Sequence, residues 1–311
     1  MNVYELQYTE EMQLPEGQAY SLAIGFFDGL HKGHQAVIQT AIEKAERLNI
    51  QSAVMTFDPH PSHVLGGGKK KVGYITPHEE KVAVLTELGV DALFVIRFNK
   101  ELAALSPEAF VDTFIKRLNV QHVVAGFDFT FGQKGAGTMA DMKSLANGAY
   151  TTAIVEKVSD EVEKISSTRI RQLLAEGKVE ETAKLLGRNF RTIGTVEHGA
   201  KNGRKLGFPT ANVTSPEAAI LPLNGVYAVK FHADGKTYNG VCNVGIKPTF
   251  DEEQKAPMVE VHILDFDGDL YGKAVKVEWL YFIREEKKFD SFEALIEQIT
   301  ADKETAKKLL V

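Results

Sequence analysis

Two histidines three residues apart, His31 and His34, close the run Gly25-Phe26-Phe27-Asp28-Gly29-Leu30-His31-Lys32-Gly33-His34. The run follows a strand-like apolar stretch and opens a helix-like one. Gly25 and Gly29 permit tight backbone turns there, and Gly33 lets a ligand approach the helix start. A helix N-terminus offers free N–H groups and partial positive charge. Two imidazoles aimed at the same spot would add donors. That combination suits a triphosphate whose α-phosphorus is attacked while pyrophosphate leaves, because positioned donors stabilise the charge that builds on the phosphoryl oxygens. His-x-x-His alone reads first as two surface histidines, or as half a zinc site; the glycine-rich strand-to-helix setting reverses that in favour of the anion site.

Three further segments belong to the same half. Ser166-Ser167-Thr168-Arg169-Ile170-Arg171 starts a helix with hydroxyls at its cap and an arginine one turn on. Those groups suit phosphate, and an ordinary helix cap is an equal reading. Gly126-Phe127-Asp128-Phe129-Thr130-Phe131-Gly132 places three phenylalanines at alternate positions. They are either core or the walls of a slot for a flat ring, with Asp128 accepting hydrogen bonds. Phe57-Asp58-Pro59-His60-Pro61 ends a strand and is assigned only a lining role.

In the second half the densest motif is Gly203-Arg204-Lys205-Leu206-Gly207-Phe208-Pro209-Thr210-Ala211-Asn212. Thr210 and Asn212, two apart in an extended segment, face the same side. Their hard oxygens suit Mg²⁺, which keeps waters and bridges nucleotide phosphates. His198-Gly199-Ala200-Lys201-Asn202-Gly203 is a loop able to wrap phosphates through its backbone. Glu260 interrupts the apolar run Met258–Leu264. It is either a general base for an attacking hydroxyl or an outward residue of an alternating strand. No Walker A sequence occurs, which excludes an ordinary P-loop kinase.

These groups need elements to hold them. Residues 21–187 alternate strands (21–27, 52–57, 92–98, 122–127, 153–158) with amphipathic helices, such as 33–48 with its apolar residues at helical spacing. Thr76-Pro77-His78-Glu79 reads as a capping box and Ser106-Pro107-Glu108 as another helix start. Alternation of this kind predicts a Rossmann-like α/β domain, a parallel sheet whose ligands sit beyond the carboxyl ends of the strands. After Gly187 strands follow one another (192–197, 226–231, 238–244, 258–265, 274–282), with a turn at Asp234-Gly235. They predict an all-β antiparallel barrel or sandwich, with one terminal helix over 291–310. The predicted domains are residues 1–186 and 187–311, in keeping with a length of 311 residues.

Composition narrows the classes. A net charge of −6 repels duplex nucleic acid, so small molecules are the expected partners. The single cysteine, Cys242, forms no intrachain disulfide and no cysteine-rich zinc site, in line with a reducing cytoplasm. The acidic, polar N-terminus is not a signal peptide, and no apolar run reaches membrane-span length. A monomer or transient homo-oligomer is expected.

Taken together, GFFDGLHKGH, FDPHP, GFDFTFG and ISSTRIR in the first half, and HGAKNGRKLGFPTAN, NVGIKPTF, VEVHILDF, DLYG and IREEKKFDS in the second, resemble the bacterial bifunctional riboflavin kinase/FMN adenylyltransferase family. The resemblance covers nearly the whole chain. It implies a C-terminal domain that phosphorylates riboflavin with ATP to FMN, and an N-terminal domain that adenylylates FMN with ATP to FAD and pyrophosphate. By motif, Gly25, Phe26, Phe27, His31, His34, Ser167, Thr168 and Arg171 would contact ATP in the first site, with Asp128 in its pocket. Gly199, Lys205, Gly207, Thr210 and Asn212 would hold ATP phosphates in the second, Thr210 and Asn212 also Mg²⁺. Glu260 would be the kinase base, and Arg284 would contact flavin or nucleotide. Phe26 departs from relatives that carry Asn there. Two other readings are a monofunctional adenylyltransferase with an inactive kinase-like domain and a non-enzymatic flavin-binding regulator; intact motifs in both halves argue against them.

Overall fold

The strand–helix alternation of the first half becomes a wholly parallel sheet in the computed structural model, which describes residues 1–8, 17–66, 73–160, 163–199, 203, 207–216, 219–246 and 257–311. The chain divides into two compact units, Met1–Ser166 and Ser167–Val311.

In the first unit, strands β1 (Asn2–Gln7), β2 (Tyr20–Ile24), β3 (Gln51–Asp58), β4 (Ala92–Arg97) and β5 (Val120–Gly126) are followed by a two-stranded antiparallel ribbon, β6 (Thr130–Phe131) and β7 (Gly137–Thr138), and then β8 (Thr151–Val155). The sheet runs β1-β4-β3-β2-β5-β8, every pair parallel. Parallel strands need crossovers, and the helices supply them: α1 (Lys32–Leu48), α2 (Pro61–Leu65), α3 (His78–Glu87), α4 (Lys100–Ala103), α5 (Pro107–Val111) and α6 (Met139–Leu145). Val37, Ile38 and Ala41 of α1 and Val84 and Leu85 of α3 pack on Ala23, Val54, Leu93 and Val124. The opposite face carries Phe110, Met139 and Met142 against Leu22, Ile24, Met55 and Phe94. From β2 the chain steps to β3 and β4 on one side, then returns past β2 to β5 on the other. The strand order therefore reverses at β2, where the carboxyl ends of β2 and β5 leave a crevice.

Two local expectations are corrected. β1 is a strand that the N-terminal sequence does not announce; it lies on the sheet edge and buries only Leu6. The start of α3 is shifted by one residue: Pro77, expected as the first helical residue, is its N-cap and makes no side-chain cap bond. The Thr76 backbone N–H donates to Asp28 at 3.0 Å, so the threonine belongs to the loop before the helix. Ser106 does cap α5, accepting from Ala109 N–H at 3.2 Å.

The second unit begins with α7 (Ser167–Ala175) and α8 (Val179–Leu186). Six antiparallel strands follow: β9 (Phe190–Glu197), β10 (Ala211–Thr214), β11 (Gly225–Ala233), β12 (Lys236–Ile246), β13 (Pro257–Ile263) and β14 (Ala274–Arg284). They close into a barrel, β10-β13-β12-β11-β14-β9, with β9 pairing back to β10. Closure removes the exposed edges that an open sheet would present. Inside lie Tyr227, Phe231, Cys242, Val244, Val259, Val261 and Trp279, whose indole N–H donates to Thr192 Oγ1 at 2.8 Å. The β11–β12 turn takes left-handed backbone at Asp234 (φ 49°) and Gly235 (φ 72°), as the sequence pair predicts. The terminal helix α9 (Phe292–Leu309) lies over Ala228, Val241 and Tyr281 through Ala306 and the following Leu310. The α7–α8 pair is tied to the segment before β11, where the Leu223 N–H donates to Leu174 O at 2.8 Å.

Candidate functional site

At the crevice between β2 and β5 the sequence Gly25–His34 forms a tight loop into α1. Phe27 (φ 50°) and Leu30 (φ 45°) both hold left-handed backbone although they are bulky and buried. Each such residue costs on the order of 1–3 kcal/mol, a strain that persists only where the surroundings impose it. Phe27 and Leu30 are held by burial in the α1/α3 core. Gly25 is required because a Cβ there would stand 3.1 Å from the Phe27 ring.

The loop fixes the two histidines. His31 is the N-cap of α1, and its Nδ1 accepts the His34 backbone N–H at 3.2 Å. An Nδ1 that accepts carries a lone pair, so in the neutral ring the proton sits on Nε2, which is then a donor. The two rings stack with centroids 3.6 Å apart and planes 18° apart. Gly33 makes room for this, since a Cβ there would stand 3.1 Å from His31 Cε1. His34 is held well below the ordinary histidine range, first by burial, then by electrostatic coupling to His31 and by the positive charges of Lys81 and Lys164. Its Nδ1 is buried without a hydrogen-bond partner among the described residues. A buried polar atom left unpaired costs about 1–3 kcal/mol, and it marks a place where a ligand atom would be welcome.

Behind the histidines, Asp28 accepts the backbone N–H groups of Ile75 and Thr76 at 3.3 and 3.0 Å. Lys81, buried on α3, donates to Phe26 O and Thr56 Oγ1, both at 3.0 Å. Neither role is predicted from the sequence. A signal is present for the lysine: Lys81 stands with Val84, Leu85 and Leu88 on the apolar stripe of α3, where a charge needs a reason.

At the end of β5 the three alternate phenylalanines divide. Phe131 is core and Phe129 packs against it, whereas Phe127 is exposed. Asp128 pairs with Lys164 at 2.6 Å, and the same ammonium lies 4.6 Å from the Phe127 ring centre. Phe26 stands between Phe57 (5.4 Å) and His60 (4.8 Å), so the Phe57–Pro61 segment does line this end of the sheet. Ser167, Thr168 and Arg171 lie in the first turns of α7, in the second unit.

In the second unit the barrel register assembles a different site. Asn212 of β10 pairs opposite Glu260 of β13, and Glu260 pairs opposite Asn243 of β12. Val259 and Val261 turn into the barrel, so Glu260 and its two neighbours face outward, half buried. Glu260 is thus the outward residue of an alternating strand, and it stands in a row of amides. Its charge also helps burial to push the Cys242 thiol up. Asn212 Oδ1 is buried without a partner among the described residues. Gly199 sits directly over this amide, since a Cβ there would fall 2.6 Å from Asn212 Oδ1. Gly203 lies beside Thr210, with a Cβ position 3.3 Å from Thr210 Oγ1, and Gly207 holds left-handed backbone (φ 82°). Gly199 and Gly203 therefore lie against Asn212 and Thr210. Lys205 lies outside the described residues, as do residues 200–202 and 247–250 of the neighbouring motifs. His262, two residues beyond Glu260, bonds the Pro209 carbonyl through Nδ1 at 2.9 Å and so braces the same segment.

Arg284 stands apart from this row in its bonding. Its guanidinium donates to both oxygens of buried Asp302 at 2.7–3.1 Å, which ties β14 to α9.

Comparison with known proteins places both halves. The FAD synthetase family matches residues 14–169 and the riboflavin kinase family residues 186–310. Proteins named bifunctional riboflavin kinase/FMN adenylyltransferase are similar over almost their full length. The one from Bacillus subtilis (strain 168) is 49% identical over 94% of this chain and 93% of its own. Its counterpart from Listeria monocytogenes is 47% identical over 91% and 90%. That from Escherichia coli (strain K12) is 36% identical over 92% and 91%. A solved structure described as a macrolide-efflux protein from Streptococcus pneumoniae is 35% identical, with a TM-score of 0.89 over 99% of each chain. That description is its own; among the described residues here, no helix is long and apolar enough to cross a membrane.

Proposed function

Since the chain belongs to the bifunctional riboflavin kinase/FMN adenylyltransferase family, we propose that it performs two successive ATP-dependent reactions on one flavin. Riboflavin is phosphorylated to FMN in the barrel, and FMN is adenylylated to FAD at the parallel sheet. The observation that carries this reading is that each unit keeps a set of groups for its own step: the capped His31–His34 stack in one, and Glu260 between two asparagines in the other.

In the kinase step Glu260 takes the proton of the ribityl 5′-hydroxyl as that oxygen attacks the γ-phosphorus of ATP, and ADP leaves. Asn212 and Asn243 flank the carboxylate and hold the reacting groups in register with it. Asn212 Oδ1 and the adjoining Thr210 hydroxyl are hard neutral oxygens, which fit Mg²⁺. When bound with ATP, the ion would neutralise charge on the phosphates. On the strength of their motif, Gly199, Lys205 and Gly207 are assigned to binding those phosphates. Arg284 takes an indirect part, since its guanidinium is committed to Asp302 and sets the position of α9 beside the barrel.

In the adenylyl step a phosphate oxygen of FMN attacks the α-phosphorus of a second ATP, and pyrophosphate leaves. The His31 Nε2–H, the free N–H groups at the start of α1 and His34 donate to the phosphoryl oxygens as charge builds there. Gly25, Phe26 and Phe27 shape the loop, and Asp128 with Lys164 borders the pocket. On the strength of their motif, Ser167, Thr168 and Arg171 are assigned to the same reaction, with residues 1–186 as its domain and residues 187–311 as the kinase. Chromatography of the full-length protein incubated with riboflavin, ATP and Mg²⁺ should show FMN first and then FAD; formation of neither would overturn the reading.

A further inference from the structure

Lys81 is hard to explain by stability alone. Its ammonium is buried beneath the Gly25–His34 loop, and its hydrogen-bond acceptors among the described residues, Phe26 O and Thr56 Oγ1, are neutral oxygens. Burying an ammonium against neutral partners is costly, and an apolar side chain on the stripe with Val84 and Leu85 would avoid that cost. The arrangement is specific. Thr56 Oγ1 donates to the same Phe26 carbonyl at 2.9 Å, so lysine, threonine and carbonyl close a triangle. That carbonyl belongs to the peptide leading directly into Phe27, the first left-handed residue of the loop.

We infer that Lys81 is a positioning residue of the adenylyl-transfer site: its ammonium clamps the Phe26 carbonyl to the end of β3 and so sets the turn that carries His31 and His34. The inference rests on the adenylyl role proposed above for that turn. The clamp has an electrical side as well. His34 faces two lysine ammoniums, Lys81 from α3 and Lys164 from the segment after β8, and the His31 imidazole at the start of its own helix, while the Phe27 ring stands at right angles to it with centroids 5.3 Å apart. Asp28 and Asp58 act on Lys81 itself and favour its charged form, against the burial that lowers it. Lys81 thus opposes protonation of His34 while it anchors the loop. A charge this close to His34 is felt in the titration of its ring.

The test uses the full-length protein with Lys81→Met, Lys81→Arg and Thr56→Val. Adenylylation of supplied FMN, riboflavin phosphorylation and the ¹H–¹⁵N signals of the His34 ring are followed. Lys81→Met should lower kcat for adenylylation by about 10²-fold, the scale of a misplaced donor set, with riboflavin phosphorylation unchanged. It should also raise the His34 titration midpoint, because a neighbouring positive charge is gone. Lys81→Arg keeps the charge and should hold the midpoint near that of the unaltered protein while restoring part of kcat. A normal rate in Lys81→Met, or a rate loss with an unmoved His34 midpoint, overturns the inference. Should Lys81→Met not fold, Thr56→Val decides: loss of two of the triangle's three bonds should cost about fivefold in kcat, and an unchanged rate overturns the clamp. The ring titration needs no turnover, so it still reads the clamp if the protein makes no FAD and the functional reading fails instead.

Discussion

The two candidate sites are built on opposite plans. The one in the first unit is contiguous: a ten-residue loop at the reversal point of a parallel sheet supplies the backbone N–H groups, the His31 cap and the His34 ring. The one in the barrel is collected by register, with Asn212, Glu260 and Asn243 coming from three strands that are adjacent only because β13 lies between β10 and β12. A contiguous site relies on strain at Phe27 and Leu30 and on buried props behind them. A register site relies on the pairing of the whole sheet and needs little local strain. The two should therefore fail in different ways when altered.

The largest separation is expected from the carboxylate. Glu260→Gln keeps the shape and the strand pairing, and should lower riboflavin phosphorylation by about 10³-fold while leaving adenylylation of supplied FMN intact. His34→Ala should do the reverse: FMN accumulates while adenylylation falls by about 10²-fold, the cost of one lost donor to a developing charge. Product chromatography of both variants checks the pair, and loss of both activities in either folded variant would break the comparison.

A smaller effect is expected at Gly199. A methyl group there would collide with the Asn212 amide, so Gly199→Ala should weaken phosphorylation about tenfold, chiefly through KM for ATP, without touching adenylylation. Steady-state kinetics of each half-reaction would show it.

Stability should also separate the units. His122 is buried, bonds Thr151 Oγ1 at 2.6 Å and has its pKa lowered to about 4, mainly by burial. Its folded pKa lies below its unfolded value of 6.5, so the unfolded chain binds the extra proton in between. The contribution is complete above about pH 6.5 and is lost as pH falls toward about 4. At about 1.4 kcal/mol per pH unit the loss approaches about 3 kcal/mol in the first unit. Thermal unfolding across that window checks the sign, and His122→Asn should flatten the dependence. In the second unit, Asp302→Ala leaves the Arg284 guanidinium without its partner. It should cost about 3 kcal/mol, seen as a lower unfolding midpoint of the barrel.

How much of this is legible in the sequence follows from the same contrast. The first site can be read because its glycines, histidines and helix start lie within one short loop, and the strand–helix rhythm tells which end of the sheet they occupy. The row around Glu260 is half legible: Asn212 is given a role by its motif, whereas Asn243, though it opens the NVGIKPTF segment, is given none, since register across a barrel is not written in any one strand. Local spacing likewise cannot reveal that Asp28, 48 residues earlier, takes the Thr76 backbone N–H. Lys81 escapes a motif-based reading although it stands on an apolar stripe. Arg284 shows the converse, a motif residue whose guanidinium goes to Asp302 on α9.

The central claim is that one chain holds two independent sites joined only by FMN. Mixing Glu260→Gln with His34→Ala tests it most directly. Each variant alone, given riboflavin, ATP and Mg²⁺, should yield little FAD. The mixture should restore FAD formation, because FMN released by the histidine variant is adenylylated by the glutamate variant. A mixture that accumulates FMN and makes no more FAD than the single variants would contradict the claim.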